Sequence, residues 1–376
     1  MDRVVPALLL MVVFLISAIA IYSITFKLTE VSILTSSTLS EVELIISSSW
    51  IGGAIGGLVI GLASDRIGKK KALGISITLF SVPLLVNVLV DRVLAIYYVL
   101  WFLIGFGVNG DNGVSYVLIA EFSPPSLRAT FGSLMQGFYF LGAMIGASLS
   151  AFLGFREFLL TISLLSLLSF LPWAKVPESK FRGGKFRPVE VFSRKHKGIT
   201  VFGSMAVVGA FLFLVPLVSL GYTLFSESGF PRALSSFAVT VSFLVGFAGF
   251  TLAGRIADAI GKRRTTFAFL TVGLVGVALL VGVSLLKDFY FLLFVYPLLM
   301  FSSSFFAYFG VWISELYPPQ LKGTGTNTAF FLGRLLGGGF GVFLVALLPL
   351  PLALSLSVVS LVSLLLVLAG VQKLRG

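Results

Sequence analysis

The chain has 376 residues, 57% of them hydrophobic and only 11% charged, with a formal net charge of +12 at pH 7. Soluble domains carry about 25% charged residues, so an ordinary water-soluble enzyme is excluded, and the lack of cysteine removes disulfide frameworks, thiolate metal sites and a cysteine nucleophile. With one histidine, His196, and no nucleophile–base set or metal cluster in the pattern, no catalysis and no cofactor are expected.

A spanning helix needs about 20 apolar residues. Apolar runs broken by charged or Pro/Gly punctuation predict twelve of them in chain order. They are Val4–Phe26, Val42–Ala63, Ala72–Val90, Leu94–Ala120, Leu127–Phe152, Phe158–Trp173, Ile199–Tyr222, Ala233–Ala257, Thr266–Leu286, Phe289–Ser314, Gly325–Leu348 and Leu352–Val371. The first is read as a helix and not a signal peptide, since no small-residue cleavage site leads into a polar segment. A β-barrel needs short alternating segments, and these runs are continuous. Glycine patches at Gly52-Gly53, Gly56-Gly57 and Gly337–Gly341 suit close helix packing. The fold expected is an all-α membrane protein.

Orientation follows from the basic residues. With the amino terminus inside, the inner loops collect Arg3, Arg66 to Lys71, Arg128, the connector from Lys175 to Lys197, Arg255, Lys262 to Arg264, Lys322, Lys373 and Arg375. The outer loops hold only Lys27, Arg92, Arg156, Arg232 and Lys287, and Arg334 falls inside a span. Such a bias puts both termini in the cytoplasm and assigns the protein to the cell membrane. The positive charge is thus a topology signal, and no nucleic-acid partner is expected.

Two motifs then repeat. Gly61-Leu-Ala-Ser-Asp65-Arg66-Ile-Gly68-Lys69 recurs as Gly254-Arg-Ile-Ala-Asp258-Ala-Ile-Gly261-Lys262, and Glu121-Phe-Ser-Pro-Pro-Ser-Leu-Arg128 recurs as Glu315-Leu-Tyr-Pro-Pro-Gln-Leu-Lys322. Both recur at almost the same offset. The chain therefore divides into a six-helix half over 1–174, a basic cytoplasmic connector over 175–198 and a second six-helix half over 199–376, in parallel repeat.

At these residues the sequence resembles the major facilitator superfamily over nearly its whole length. The Gly-x-x-x-Asp loop, its copy with Ala259 in place of the usual arginine, the Glu-x-x-Pro-Pro ends of helices 4 and 10, and Pro177-Glu178-Ser179 after helix 6 carry the likeness. The resemblance implies transport by alternating access, with a gate built from Gly61, Asp65, Arg66, Gly68, Lys69, Glu121 and Arg128, and from Asp258, Gly261, Lys262, Glu315 and Lys322. Physically, Asp65 near a helix end can hold basic groups and the amino-terminal dipole of a neighbouring helix. Glu121 and Glu315 would pair with Arg128 and Lys322, or with the basic loops. The same basic residues would serve equally as plain topology anchors.

Two charges remain within spans, Asp111 in helix 4 and Arg334 in helix 11. An ionisable group at bilayer depth is expensive and is a functional candidate by default. Asp111 precedes Glu121 by about 15 Å of helix and Arg334 follows Lys322 by about 18 Å, so the two lie at similar depth. Around Asp111, Gly105-Phe-Gly-Val-Asn109-Gly-Asp111-Asn112-Gly-Val-Ser115 resembles the helix 4 signature of phosphate:proton symporters, with Asn109, Asn112 and Gly113 departing from it. Gln136 falls where that family has a substrate-contacting glutamine. Arg334 takes the place of its lysine, where arginine resembles aromatic-acid:proton and organic-ion carriers instead. The helix 7 glutamine pair of sugar porters is absent.

The expectation is a secondary transporter, working as a monomer, that carries a small anion (organic carboxylate or phosphate) together with protons. Asp111 is the proton-coupling group and Arg334 the anion contact. Gln136, Asn112, Ser115, Tyr116, Tyr139, Asn327, Tyr308 and Trp312 are the further candidate substrate contacts. An Asp111–Arg334 pair that merely neutralises itself and fixes the interface between halves is the competing reading. A sugar or polyol porter, proton-driven export of amphipathic compounds and a non-transporting sensor are the other functions this pattern admits.

Overall fold

The computed structural model describes residues 4–90, 92–179, 188–318 and 321–374. Those residues are almost entirely helical, with no strand among them. Twelve long helices follow one another: α1 (Val4–Tyr22), α2 (Leu39–Ile67), α3 (Lys69–Leu89), α4 (Leu94–Phe122), α5 (Arg128–Phe152) and α6 (Phe155–Leu167, resuming as Phe170–Lys175). The second set is α7 (Lys197–Glu227), α8 (Arg232–Ile260), α9 (Lys262–Leu286), α10 (Leu292–Ser302, resuming as Phe309–Leu316), α11 (Lys322–Leu332, continuing to Leu347) and α12 (Leu352–Lys373). Each of the twelve expected spans finds its helix.

Eleven of the described helices are long and apolar enough to cross a membrane. The 25-residue α5 carries Ser133 and Gln136. It lies between α1 and α8 along its length, so its polar groups face protein. A helix covered in this way has no need of an apolar stripe on every side.

Three local features were not visible in the apolar runs. A short helix, Leu28–Thr35, joins α1 to α2. The tenth span is broken by a 3-10 turn over Ser303–Phe306, where the Ser303 hydroxyl donates back to the Met300 carbonyl at 2.6 Å. Such back-bonding bends helices. The eleventh span opens into a π-helical stretch over Gly333–Gly339, a wound-out geometry that is rare and often found at functional sites.

The repeat is repeated in backbone detail. α2 and α8 both end on a glycine, Gly68 at φ +97° and Gly261 at φ +92°. Each glycine N–H bonds back to the fourth residue before it, Ser64 O and Ala257 O, both at 3.1 Å. The next helix starts at once, at Lys69 and Lys262. A side chain at that φ would be strained, which explains why the motif has glycine at this place in both copies.

The halves meet chiefly along α2 against α11 and α5 against α8. These two contacts exchange when the halves are interchanged, as a pseudo-two-fold axis requires. Close approach is possible because the α2 face lacks side chains: a methyl on Gly61 would lie 2.4 Å from Asn327 Nδ2, and one on Gly57 would lie 2.4 Å from Arg334 Nη1. Packing, hydrogen bonds and lack of side-chain bulk are what join helices in lipid, where apolar burial has little driving force.

Candidate functional site: an interface cavity above a closed basic end

At the end of the bundle that carries the basic loops, the halves are tied together. Asp258 at the end of α8 accepts the Ala129 N–H at 3.1 Å, the Thr130 N–H at 2.8 Å and the Thr130 hydroxyl at 2.6 Å. It thereby caps the amino terminus of α5, in the other half, with a carboxylate where the helix dipole favours one. Gly254, one turn earlier, allows this approach, since a methyl there would lie 2.7 Å from Ser133 Cβ. Ala259, in place of the usual arginine, takes nothing from this cap.

The glutamates sit beside it. Glu315 on α10 pairs with Lys262 at 2.7 Å within its own half and with Arg128 of the other half at 3.9 Å. In the first half Glu121 pairs with Lys69 at 3.4 Å and accepts the Ser179 hydroxyl at 2.6 Å. The glutamates thus take the basic loops of their own halves, with Arg128 as the cross-half partner. Lys322 opens α11, and Arg66 lies exposed at the end of α2. The side chain of Asp65, the first-half counterpart of Asp258, lies outside the described residues.

Above this closed end, side chains from both halves enclose a cavity of about 30 Å³, room for about one water. Its two walls differ in kind. The first half contributes Tyr22, Trp50, Asn109, Asn112, Tyr116, Gln136 and Tyr139, together with Phe140 and Ala143; the second contributes Phe211, Leu214, Val215, Val218, Phe250, Phe306 and Phe330, all apolar. Spacing explains part of this: Asn109, Asn112 and Tyr116 fall at i, i+3 and i+7 on one face of α4. The polar wall is internally bonded, with the Tyr116 hydroxyl donating to Gln136 Oε1 and Asn112 Nδ2 donating to the Tyr139 hydroxyl. The apolar wall stacks Phe306 on Phe330, rings 5.9 Å apart, with Phe211 edge-on to both.

Arg334 lies behind Phe330. It is 0% exposed, and its guanidinium sits 5.3 Å from the Phe330 ring centroid. None of its three guanidinium nitrogens has a hydrogen-bond partner among the described residues. Tyr116 and Tyr139, both on the cavity wall, are its electrostatic neighbours. A buried cation left unpaired costs several kcal/mol, so this arrangement opposes stability.

Asp111, also 0% exposed, faces elsewhere. Its Oδ1 accepts the Ser115 hydroxyl at 2.7 Å, Ser17 of α1 reaches the same carboxylate, and Oδ2 has no hydrogen-bond partner among the described residues. Asp111 and Arg334 make no ion pair among the described residues. The self-neutralising pair is therefore corrected: the two share a depth, but α4 turns its carboxylate toward α1 and its asparagines toward the cavity.

Of the other candidates, Asn112, Tyr116, Gln136 and Tyr139 are brought together on one wall. Ser115 is turned to Asp111. Asn327 wedges between Gly61 and Gly113 and donates to the Gly323 carbonyl at 2.8 Å. The Tyr308 hydroxyl is held by Thr266 at 2.8 Å and by the Lys262 carbonyl at 3.1 Å, and Trp312 lines a separate cleft at the basic end. These four lie away from the cavity: Ser115 is held within α4, Asn327 and Tyr308 are held between helices, and Trp312 faces the separate cleft. Sequence reasoning missed the apolar wall, Phe211, Phe306 and Phe330 above all, since 38 phenylalanines spread through the chain give no signal of which face inward.

Two pseudo-symmetric six-helix halves around a central interface cavity, with one end latched, define a polytopic membrane transporter. The model of the Major Facilitator Superfamily matches residues 8–342; the chain belongs to that superfamily and is a transporter, not an enzyme. A Bacillus subtilis (strain 168) protein named "Putative niacin/nicotinamide transporter NiaP" is 28% identical over 330 residues, covering 81% of this chain and 78% of that one. The cis,cis-muconate transport protein of Acinetobacter baylyi (strain ATCC 33305 / BD413 / ADP1) is 25% identical over 332 residues, covering 81% and 78%. Among solved structures, the proton:xylose symporter XylE bound to 6-bromo-6-deoxy-D-glucose matches with TM-score 0.81 at 14% identity, covering 97% of this chain and 94% of that one. That likeness concerns the fold alone.

Proposed function

We propose that the protein carries a small organic anion, a carboxylate on a flat apolar body, in symport with protons across the cell membrane, with both termini in the cytoplasm and the monomer as the working unit. The observation that carries this reading is Arg334, buried beside the cavity with all three guanidinium nitrogens unpartnered. A bidentate anion satisfies such a fork better than any other ligand. Displacement of Phe330 brings the guanidinium into the cavity, Asn112, Gln136 and Tyr139 orient the polar end, and the phenylalanine wall receives the ring or chain. Two relatives named for niacin/nicotinamide and for cis,cis-muconate transport agree with a carboxylate on an unsaturated frame. A sugar fits poorly, because half the wall offers its hydroxyls no partner.

Asp111 takes up and releases the coupling proton, and the contact it makes with α1 reports its charge to the cavity, since α1 also carries Tyr22 and the Phe14 ring, 5.0 Å from that of Tyr139. Lys69, Glu121, Arg128, Asp258, Lys262 and Glu315 form and release the latch that alternates access.

Uptake into proteoliposomes under an imposed pH gradient tests the reading, with nicotinate, benzoate, phosphate and xylose as probes. Accumulation of the carboxylates driven by an acidic exterior is expected, lost in Arg334→Ala. In Asp111→Asn, exchange of labelled for unlabelled substrate persists while gradient-driven accumulation disappears. Xylose accumulation without carboxylate uptake, or an Arg334→Ala protein that binds benzoate as tightly as the parent, would end the anion reading. Full accumulation by Asp111→Asn would end its coupling role.

A further inference from the structure

The two copies of the signature loop are alike in backbone but not in what fills them. In the first half the segment after α6 turns back onto the start of α3. Glu178 Oε1 accepts the Lys70 N–H at 3.2 Å and the Ser179 N–H at 3.1 Å, and the Ser179 hydroxyl bridges to Glu121 while accepting from Lys69 Nζ at 3.2 Å. The fit is close enough that a methyl on Gly68 would lie 2.8 Å from Glu178 Oε2. A carboxylate thus sits at the amino terminus of a 21-residue helix, among the basic residues Lys69 and Lys70.

In the second half the corresponding residues are Gly261, Lys262 and Arg263 at the start of the 25-residue α9. A methyl on Gly261 would meet nothing within 4 Å among the described residues. In place of the acidic segment there is a cleft of about 470 Å³, lined among others by Ile260, Lys262, Arg263, Arg264, Trp312 and Glu315. Glu315 is already held by Lys262. Ala259, where the first half has Arg66, adds no side chain to fill it.

We propose that this cleft binds a phosphate group, and that its source is the headgroup of an anionic membrane lipid. Three features support it. The equivalent position of the other half holds an oxyanion on the same backbone turn beside the equivalent lysine, Lys69 for Lys262. Arg264 offers a planar fork suited to phosphate, and Arg263, whose Nη2 donates to the Gln372 carbonyl at 3.2 Å, keeps further donors, where the first half has lysines. Ile260, half exposed at the rim, and the exposed arginines combine an apolar edge with a basic patch, the composition that recruits anionic lipid at a membrane surface. The cleft is also on the scale of small-ligand sites, far larger than the central cavity.

Calorimetry on the purified full chain in neutral detergent tests this, with dihexanoyl-phosphatidylglycerol, dihexanoyl-phosphatidylcholine and inorganic phosphate as separate titrants. Saturable binding of phosphatidylglycerol to one site is expected, at least tenfold tighter than phosphatidylcholine or inorganic phosphate, and at least tenfold weaker in Arg263→Gln/Arg264→Gln. Inorganic phosphate binding as tightly as phosphatidylglycerol, with the same loss in the double variant, would keep the phosphate site but overturn the lipid as its source. Equal binding of all three titrants, or phosphatidylglycerol binding untouched by the double variant, would overturn the site itself. A second variant guards against loss of fold: Glu178→Ala opens the first-half counterpart, so the stoichiometry should rise from one toward two. A stoichiometry that stays at one would remove the equivalence on which the site rests.

Discussion

The two halves share a backbone plan down to the positive-φ glycines, yet they contribute opposite chemistry to the cavity between them. The first half presents amides, phenols and an indole; the second presents phenylalanine, leucine and valine. The basic-end residues recur in related pairs, Glu121 with Glu315 and Lys69 with Lys262, on the same backbone turn. The wall residues do not recur, so on the proposed reading recognition rests on what the halves do not share. Arg334 is the exception that completes the scheme, a cation supplied by the otherwise apolar half and held behind its phenylalanines.

The largest expected effect comes from removing that exception. Arg334→Ala should lower benzoate affinity by about 2–5 kcal/mol, the range for truncating one partner of a desolvated charge pair, measured by equilibrium binding in detergent. Arg334→Lys should recover only part, since an ammonium lacks the fork.

The latch offers the next test. Asp258→Ala should cost about 1–2 kcal/mol of stability, as loss of a helix cap does, and should expose the basic end to thiol labelling at an introduced Thr130→Cys. Ala259→Arg, which restores the superfamily residue, should change both readouts far less. Equal effects from the two would show that the cap on α5 is not what closes this end.

The walls can then be separated. Gln136→Ala should weaken carboxylate binding at least tenfold, the low end of the about 1.5–3 kcal/mol of a hydrogen bond to a charged group, whatever the size of the apolar part. Phe306→Ala should shift preference toward bulkier carboxylates with little change for small ones. A series of benzoates of increasing size, titrated against both variants, measures the difference.

The smallest effect concerns how the equivalent helices begin. α2 starts on a capping box, with Glu41 Oε2 accepting the Thr38 N–H at 2.8 Å, while α8 starts after Pro231 with no side-chain cap. The hydrogen bonds from the Thr38 backbone and hydroxyl hold the Glu41 carboxyl below its ordinary value. A carboxyl so lowered stabilises the fold above its unfolded-state value, and that contribution is lost as pH falls through the folded one. Glu41→Gln should therefore lower the melting temperature slightly at pH 7 and not at pH 3, with no counterpart in the second half.

Much of this was legible in the chain itself. Apolar runs and the recurring Gly-x-x-x-Asp and Glu-x-x-Pro-Pro elements sufficed for twelve helices and two halves, because lipid demands length and the repeat demands glycine at Gly68 and Gly261. Facing was not legible. A helix buried on every side carries no hydrophobic period, so nothing in α4 announced that Asn109, Asn112 and Tyr116 look at the cavity while Asp111 and Ser115 look at α1. The missing Asp111–Arg334 pair has the same origin: depth follows from counting residues, azimuth does not. The π stretch of α11 was hidden because glycine runs suit close packing and loosened winding alike.

A cavity with room for a single water has a consequence for every affinity measured on this transporter. On the proposed reading substrate enters by separating Phe330 from its neighbours, so part of each contact's energy goes into opening the site, and the observed constant reports only the remainder. Trimming the wall can then improve binding while removing contacts. In this protein, tighter will not always mean better fitted.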